Sequence, residues 1–177
     1  MAIIRGYMGV SLDGYIAGDG GELNWLTKYD NADFGRHGYA TFIEAIRTVA
    51  MGRATYDWLI AAGTPWPYAR QRTIIVTSRP IDDPPATLAV WSKGVPALIA
   101  HLRALDDGDA WIVGGGKLQQ AVIAEGGLDR LELFIVPEII GGGIALFPPN
   151  GHKRSVCLNE ANTLGSGIVR LDYAFAG

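Results

Sequence analysis

The chain has 177 residues, 49% of them hydrophobic, and a formal net charge of −3 at pH 7. That length and hydrophobic content predict a single domain, residues 1–177, with a substantial core. The weakly negative charge argues against nucleic acid as a partner, because a phosphate backbone usually demands a basic face.

The first half of the chain begins with a strand that ends in SLDG, where Asp13 and Gly14 predict a tight turn. Apolar residues then recur at helical spacing, from Phe34 to Ile46. The helix that follows MGR has Thr55 in position to cap its start. In chain order, the predicted elements are a strand over 2–10, a helix over about 33–47, a strand over 48–52, a helix over 54–63 and a strand over 72–78.

In the second half of the chain, strands and helices continue to alternate, and the chain then ends with consecutive strands. Its predicted elements are a strand over 86–91, a helix over 95–105, a strand over 109–115, a helix over 116–126, a strand over 128–140 and two strands, 155–164 and 168–176, joined across GSG. Alternating strands and helices predict a largely parallel sheet covered on both faces, and the closing hairpin adds antiparallel strands at one edge. The prediction is a three-layer α/β domain with a mixed sheet.

Cysteine and histidine usage limits the possible chemistry. The one cysteine, Cys157, excludes an intramolecular disulfide and a cysteine-based zinc cluster. We expect it to be a small buried residue in a late strand. The histidines, His37, His101 and His152, lack metal-ligand spacing, so we predict no metal site. The N-terminus does not resemble a signal peptide and no segment is long enough to span a bilayer, which indicates a cytoplasmic protein without a membrane partner.

The stretch WIVGGGKL, residues 111–118, places three glycines between a strand and a helix. A phosphate-binding P-loop is excluded, because Leu118 follows the lysine and Trp111 replaces the first glycine. The dinucleotide fingerprint G-x-G-x-x-G fails at Gln119. A helix N-terminus beside Lys117 still attracts an anion, although a tight turn in which glycine only relieves crowding explains the same residues.

Two more strand ends carry similar chemistry. MGRATY, residues 51–56, runs from a strand through a glycine and an arginine into a helix. TSRP, residues 77–80, ends a strand with two hydroxyls and an arginine, which are donors suited to phosphate. Each alone is equally compatible with an ordinary surface loop.

The ordered set of MGR-x-TY, TSRP and WIVGGGKL resembles the cofactor signatures of the dihydrofolate reductase-like superfamily. SLDGYIA and LDRLELFIVPEIIGGGIALF narrow the resemblance to the C-terminal reductase domain of bacterial riboflavin-biosynthesis deaminase–reductases and its stand-alone relatives. It covers essentially the whole chain and implies a dihydrofolate reductase-like αβα sandwich. The deaminase half of those enzymes needs zinc-binding cysteines, which one cysteine cannot supply.

The resemblance implies a nicotinamide cofactor whose pyrophosphate lies against a cis peptide, here Gly114–Gly115. Arg53, Arg79 and Lys117 would converge on the adenosine half, and no acid occurs in MGRAT or TSRP, which favours NADPH over NADH. The implied cofactor contacts are Val10, Ile16, Ala17, Gly52, Arg53, Thr55, Thr77, Ser78, Arg79, Val113, Gly114, Gly115, Gly116, Lys117 and Leu118.

By the same resemblance, the substrate would contact Met8, Trp25, Phe34, Tyr56 and Phe134. Dihydrofolate reductases use an acid in the first helix as proton donor, and Asp33 is the nearest candidate here. It lies further upstream of MGR than that acid usually does, and Arg36 falls near the usual place, so the residues favour a role of Asp33 in starting the helix.

These residues predict an NADPH-dependent reductase resembling 5-amino-6-(5-phosphoribosylamino)uracil reductase, acting on a pyrimidine or pterin-like heterocycle. A dihydrofolate reductase and a nucleotide-binding module without turnover are the alternatives. The resemblance also implies a homodimer.

Overall fold

Most of the apolar runs become strands of one large sheet in the computed structural model, which describes residues 1–81, 84 and 87–175. The described strands are β1 Ile4–Ser11, β2 Tyr15–Ala17, β3 Ile46–Gly52, β4 Arg72–Val76, β5 Leu88–Trp91, β6 Asp109–Gly114, β7 Arg130–Val136, β8 Ile144–Ala145, β9 Val156–Thr163 and β10 Val169–Phe175. Ala86 and Ala176, which were expected to belong to β5 and β10, lie outside the described residues.

Eight strands form the main sheet in the order β5-β4-β3-β6-β1-β7-β10-β9, while β2 and β8 pair separately. In this spatial order, the first six strands, from β5 through β4, β3, β6 and β1 to β7, are parallel to one another. The last two, β10 and β9, add an antiparallel hairpin at one edge. The predicted mixed, mostly parallel α/β fold is confirmed.

Five α-helices are described: α1 Asn24–Thr27, α2 Tyr39–Ala45, α3 Arg53–Ala61, α4 Val95–Arg103 and α5 Gly116–Ala124. Short 3-10 helices span Asp19–Gly21, Gly35–His37 and Gly165–Gly167. Within the described residues, none of these helices combines the length and apolar character that crossing a membrane requires.

The sheet buries apolar side chains on both faces, as the three-layer prediction requires. On one face, Ile4, Val10 and Ile112 pack with residues of α4 and α5. On the other, Val49 and Met51 pack with residues of α2 and α3 in a second cluster. Successive residues of a strand point to opposite faces, so β1, β3, β4 and β6 contribute to both cores.

The long first helix predicted over about 33–47 is wrong. A 3-10 turn at Gly35–His37 comes first, and α2 begins only after Gly38, whose ψ of 160° is extended. Ile46 is fully buried and pairs with Asp109 in the parallel ladder, so the helix ends at Ala45, two residues earlier than predicted. Strand pairing in the sheet therefore overrides the helical spacing of the apolar residues.

Two local predictions also fail. The residue before α3 is Gly52 and no side chain caps this helix, so Thr55 is not its cap. Cys157 lies in a late strand as predicted but is exposed, because β9 is the edge of the sheet and most of its residues face solvent.

Candidate active site

Three of the quoted motifs meet at the carboxyl ends of the strands β3, β4 and β6. Met51 pairs with Gly114 and Gly52 pairs with Val76, so the loops that follow these strands are neighbours. Ligands of α/β sheets bind beyond the carboxyl ends of the strands. MGR, TSRP and the glycine loop therefore form one candidate cleft.

The glycine loop is open on the side that faces α3. The Gly114–Gly115 peptide is cis, as the resemblance implies. Among the described residues, a Cβ at either glycine would approach only the Thr55 hydroxyl oxygen, at 3.7 and 3.5 Å, and a Cβ at Gly52 would meet no atom within 4 Å. This backbone at the start of α5 has room beside it and fits the pyrophosphate of a dinucleotide.

Gly116 differs from the two glycines before it. Like Gly114 it is buried, but a Cβ there would lie only 2.8 Å from the Ala145 carbonyl oxygen. The third glycine of the triplet is therefore required for packing against β8, which is the crowded-turn explanation considered from the sequence.

Arg53 links the start of α3 to the loop after β4. Its Nε donates to Asp57 Oδ1 at 2.6 Å, and Nη1 donates to the Pro80 carbonyl oxygen at 2.7 Å. In the same loop, Thr77 Oγ1 accepts a hydrogen bond from the Arg79 backbone N–H at 3.0 Å. The contact with Asp57 was missed from the sequence, although an acid four residues after an arginine on a helix is the signal for it.

The remaining predicted cofactor residues fall into two groups. Ser78, Arg79 and Lys117 are exposed at the strand ends, where a ligand can reach them. Five apolar residues are buried or partly buried in the cores, and their assignment as cofactor contacts stays a prediction: Val10, Ile16, Ala17, Val113 and Leu118.

An aromatic wall, which we define as Tyr7, Trp25, Phe34 and Phe134, lies on the α2 side of the sheet. Trp25 and Phe134 share one buried cluster, against which the other two pack. The ring centroids of Phe134 lie 5.6 Å from Phe34 and 4.7 Å from Tyr7. Three of the five predicted substrate residues therefore come together.

Tyr7 was missed from the sequence, and Met8 was predicted in its place. Met8 packs against the core on the α4 and α5 face, opposite the aromatic wall. The alternation of side chains along β1 could have shown that Tyr7 and Met8 face opposite sides. The Tyr7 hydroxyl donates to the His37 carbonyl oxygen at 3.0 Å. Burial, followed by the charge of Glu132, raises the pKa of Tyr7, so its hydroxyl stays neutral.

Tyr56, the fifth predicted substrate residue, lies apart from this wall. It is buried in the α3 side of the second core, with its ring centroid 6.0 Å from that of Trp66. Its role in substrate binding stays a prediction.

Asp33, the candidate proton donor, is exposed in the turn before Gly35–His37. Its Oδ1 accepts the Gly35 backbone N–H at 2.8 Å, which stabilises that turn. The nearby Arg36 donates to Glu160 at 3.0 Å. A role of Asp33 in proton transfer stays a prediction.

Two connections hold the segment between β1 and α1 over the strand ends. Asp13 accepts hydrogen bonds from the Ser11 hydroxyl at 2.6 Å and from the Gly141 N–H at 2.8 Å, and these bonds, the first above all, lower the pKa of its carboxyl. Further along, a Cβ on Gly9 would lie 2.7 Å from Leu26 Cδ1, so α1 packs directly on β1. Asp13 is thus the turn residue that the sequence indicates.

A buried ionic network lies beside the aromatic wall. On β7, Glu132 is two residues before Phe134, and on β10, Arg170 pairs with Phe134. Arg170 donates hydrogen bonds to Glu132 and Asp172. Glu132 also accepts a hydrogen bond from Arg5. Asp172 also accepts one from Arg130. The network fixes the strands that carry one side of the wall.

Comparison with known proteins identifies the family. The family model of the RibD C-terminal domain matches residues 3–170. The chain belongs to this family. The uncharacterized protein YwjB of Bacillus subtilis is 28% identical over 170 residues, which are 96% of each chain.

Solved structures agree with the RibD C-terminal domain fold. The putative riboflavin biosynthesis protein of Shewanella sp. PV-4 superposes over 100% of both chains, with a TM-score of 0.86 and 24% identity. The dihydrofolate reductase of Enterococcus faecalis, solved with NADP(H), covers 99% of this chain and 97% of its own, with a TM-score of 0.62 and 19% identity. The dihydrofolate reductase-like fold predicted from the sequence is confirmed.

Proposed function

We propose that this RibD C-terminal domain protein is an NADPH-dependent reductase of a pyrimidine or pterin-like heterocycle, resembling 5-amino-6-(5-phosphoribosylamino)uracil reductase. The observation that carries the proposal is the open backbone at Gly52, Gly114 and Gly115, with Arg53 at its side. Membership of the family and the NADP(H) bound to the structurally similar dihydrofolate reductase support it.

Each part of the cleft has a task in this proposal. Gly114, Gly115 and the N-terminus of α5 would hold the pyrophosphate. Arg53 and Arg79 would bind the phosphate on the adenosine ribose, since guanidinium groups match phosphate oxygens. When bound, the nicotinamide supplies the hydride.

The aromatic wall would position the substrate. Phe34 is partly exposed and would offer a flat apolar surface to a planar ring, while the buried Phe134 and Trp25 support it in the same cluster. Such a surface orients the heterocycle and excludes water from it, which is the contribution that a protein makes to hydride transfer. Reduction of a C=N bond also needs a proton, and Asp33 is the residue we propose for its delivery.

Cofactor binding and turnover can be tested separately. The chain has 5 tryptophans, so quenching of their fluorescence by NADPH measures binding. NADPH oxidation is then followed with the ribosylaminopyrimidine phosphate and with dihydrofolate. We expect quenching by NADPH and turnover of the pyrimidine.

The other outcomes identify the alternatives. Turnover of dihydrofolate alone would indicate a dihydrofolate reductase, and tight binding without turnover of either compound would indicate a nucleotide-binding module. Absence of NADPH binding contradicts all three. We also propose a cytoplasmic homodimer without nucleic-acid or membrane partners, and sedimentation velocity tests its assembly state.

A further inference from the structure

A carboxylate stands directly beside the arginine at the proposed ribose end of the cofactor. Asp57 follows Arg53 by one turn of α3, and the Nε–Oδ1 distance is 2.6 Å. The Arg53 side chain is 24% exposed and that of Asp57 is 47% exposed. Both groups are therefore in contact with solvent. The motif MGRAT contains no acid, but the next turn of the helix supplies one.

The bonds of Arg53 determine which part of it remains available. Nε is held by Asp57 and Nη1 by the Pro80 carbonyl oxygen at 2.7 Å. Among the described residues, Nη2 has no hydrogen-bond partner. The guanidinium is therefore held between α3 and the loop after β4, and we assign Nη2 to the incoming anion.

The charge of this arrangement differs from that of a free arginine. Arg53 and Asp57 together are neutral, and a ribose 2′-phosphate that reaches Nη2 meets the repulsion of Asp57 as well as the attraction of Arg53. A 2′-hydroxyl carries no charge and is much less affected. The carboxylate thus lowers affinity for the phosphorylated cofactor more than affinity for the other.

We propose that Asp57 sets the cofactor specificity of this protein by reducing its preference for NADPH, so that NADH is accepted as a second cofactor. This inference rests on the proposed function, because it requires a nicotinamide cofactor in the cleft. Arg79 and Lys117 keep the site positive overall, so NADPH remains the better ligand. Asp57 acts by its charge beside Arg53 and is a specificity residue, not a catalytic one.

The variant Asp57→Asn separates charge from position. Its amide oxygen can still accept the bond from Arg53 Nε, whereas the negative charge is gone. The dissociation constants of NADPH and NADH are measured by tryptophan quenching at 20 mM and 300 mM salt, a range chosen because screening by salt weakens exposed charges. Asp107→Asn is the matched control, since Asp107 forms a similar exposed pair with Arg72 at 2.6 Å, next to the opposite end of β4.

We expect Asp57→Asn to bind NADPH about three- to tenfold more tightly at low salt, with a smaller gain at high salt and an NADH affinity within about twofold of the parent. Asp107→Asn should change neither affinity. Equal effects on both cofactors, or weaker NADPH binding, would overturn the inference while leaving the proposed function intact. Failure of the parent protein to bind NADPH or NADH would instead overturn the proposed function.

Discussion

Arg170 and Glu132 form an ion pair that is almost completely excluded from solvent. The Arg170 Nε donates to Glu132 Oε2 at 3.1 Å, and the two side chains are 2% and 5% exposed. Arg170 Nη1 also donates to Glu160 at 2.9 Å and to Asn162 at 3.0 Å. One guanidinium thus connects β7, β9 and β10, the three strands at the antiparallel edge of the sheet.

Removing the charge of Glu132 should destabilise the protein strongly. Glu132→Gln leaves Arg170 buried without its main counter-charge, and breaking such a pair typically costs about 3–5 kcal/mol. Urea denaturation measures this loss as a change in the free energy of unfolding. Glu138→Gln is the control, because Glu138 pairs with the exposed Lys28 and should contribute at most about 1 kcal/mol. Similar losses for the two variants would contradict the prediction.

The same network should make stability depend on acid pH. Burial tends to raise the pKa of Asp172, but the hydrogen bond from Arg130 and the charges of Arg130 and Arg170 outweigh it, so the pKa is lowered. A carboxyl with a lowered folded-state pKa stabilises the protein above its unfolded pKa of about 3.9, and that stability is lost as pH falls through the folded value.

Asp172→Asn tests this dependence through unfolding free energies between pH 7 and pH 3. We expect the variant to be less stable than the parent at pH 7 and the difference to shrink below about pH 4. A difference that stays constant over this range would show that the charge of Asp172 does not contribute.

Alanine at Arg53 or Arg79 should weaken binding of NADPH much more than binding of NADH. Loss of a charge-assisted hydrogen bond to phosphate costs about 1.5–3 kcal/mol, which is roughly 10- to 150-fold in the dissociation constant. Arg72→Ala, at the opposite end of β4, should leave both affinities unchanged. Equal losses of affinity for the two cofactors would show that these arginines do not bind the 2′-phosphate.

Phe134→Leu should reduce turnover while preserving cofactor binding, because it removes an aromatic ring from the wall but keeps apolar bulk. We expect a fall in kcat/KM of about tenfold, with the NADPH dissociation constant unchanged, corresponding to about 1.4 kcal/mol. Phe175→Leu is the control, since Phe175 packs on the other face of the sheet. A variant that loses NADPH affinity instead would place Phe134 on the cofactor side.

Gly143→Ala should destabilise the loop after β7, whereas Gly142→Ala should not. Gly143 has a φ of 126°, and a Cβ there would collide with the Ala17 carbonyl oxygen. Gly142 has open space around it within the described part of the chain. We expect a loss of about 2 kcal/mol or more for the first variant and less than about 0.5 kcal/mol for the second, by thermal or urea unfolding.

The position of the proposed cofactor site could be predicted from the sequence. Its motifs lie at the carboxyl ends of strands. Gly52, Thr77 and Gly114 are each within one residue of a strand terminus, so their proximity follows from a parallel sheet once the strands are recognised. The ordered resemblance supplied the rest, including the cis peptide between Gly114 and Gly115.

The substrate side was harder to predict, because the relevant neighbours come from distant parts of the chain. Arg5, Glu132 and Arg170 form one network only after three strands are placed in order, and no spacing in the sequence reveals it. Met8 was predicted as a substrate contact and Tyr7 was not considered, because the sequence does not say which face of β1 carries the aromatic wall. Cys157 was expected to be buried because its position at the sheet edge depends on strand order.

The contact between Gly116 and the Ala145 carbonyl oxygen has a consequence for how related sequences can diverge. The Lys117 side chain is exposed, so a change of its size meets no steric conflict, whereas any side chain at position 116 requires the backbone of β8 to move away. Changes at position 116 and changes in the backbone path of residues 144–146 should therefore occur together in related sequences. Homologues that replace this glycine should also carry an insertion, deletion or altered pairing where β8 meets β2.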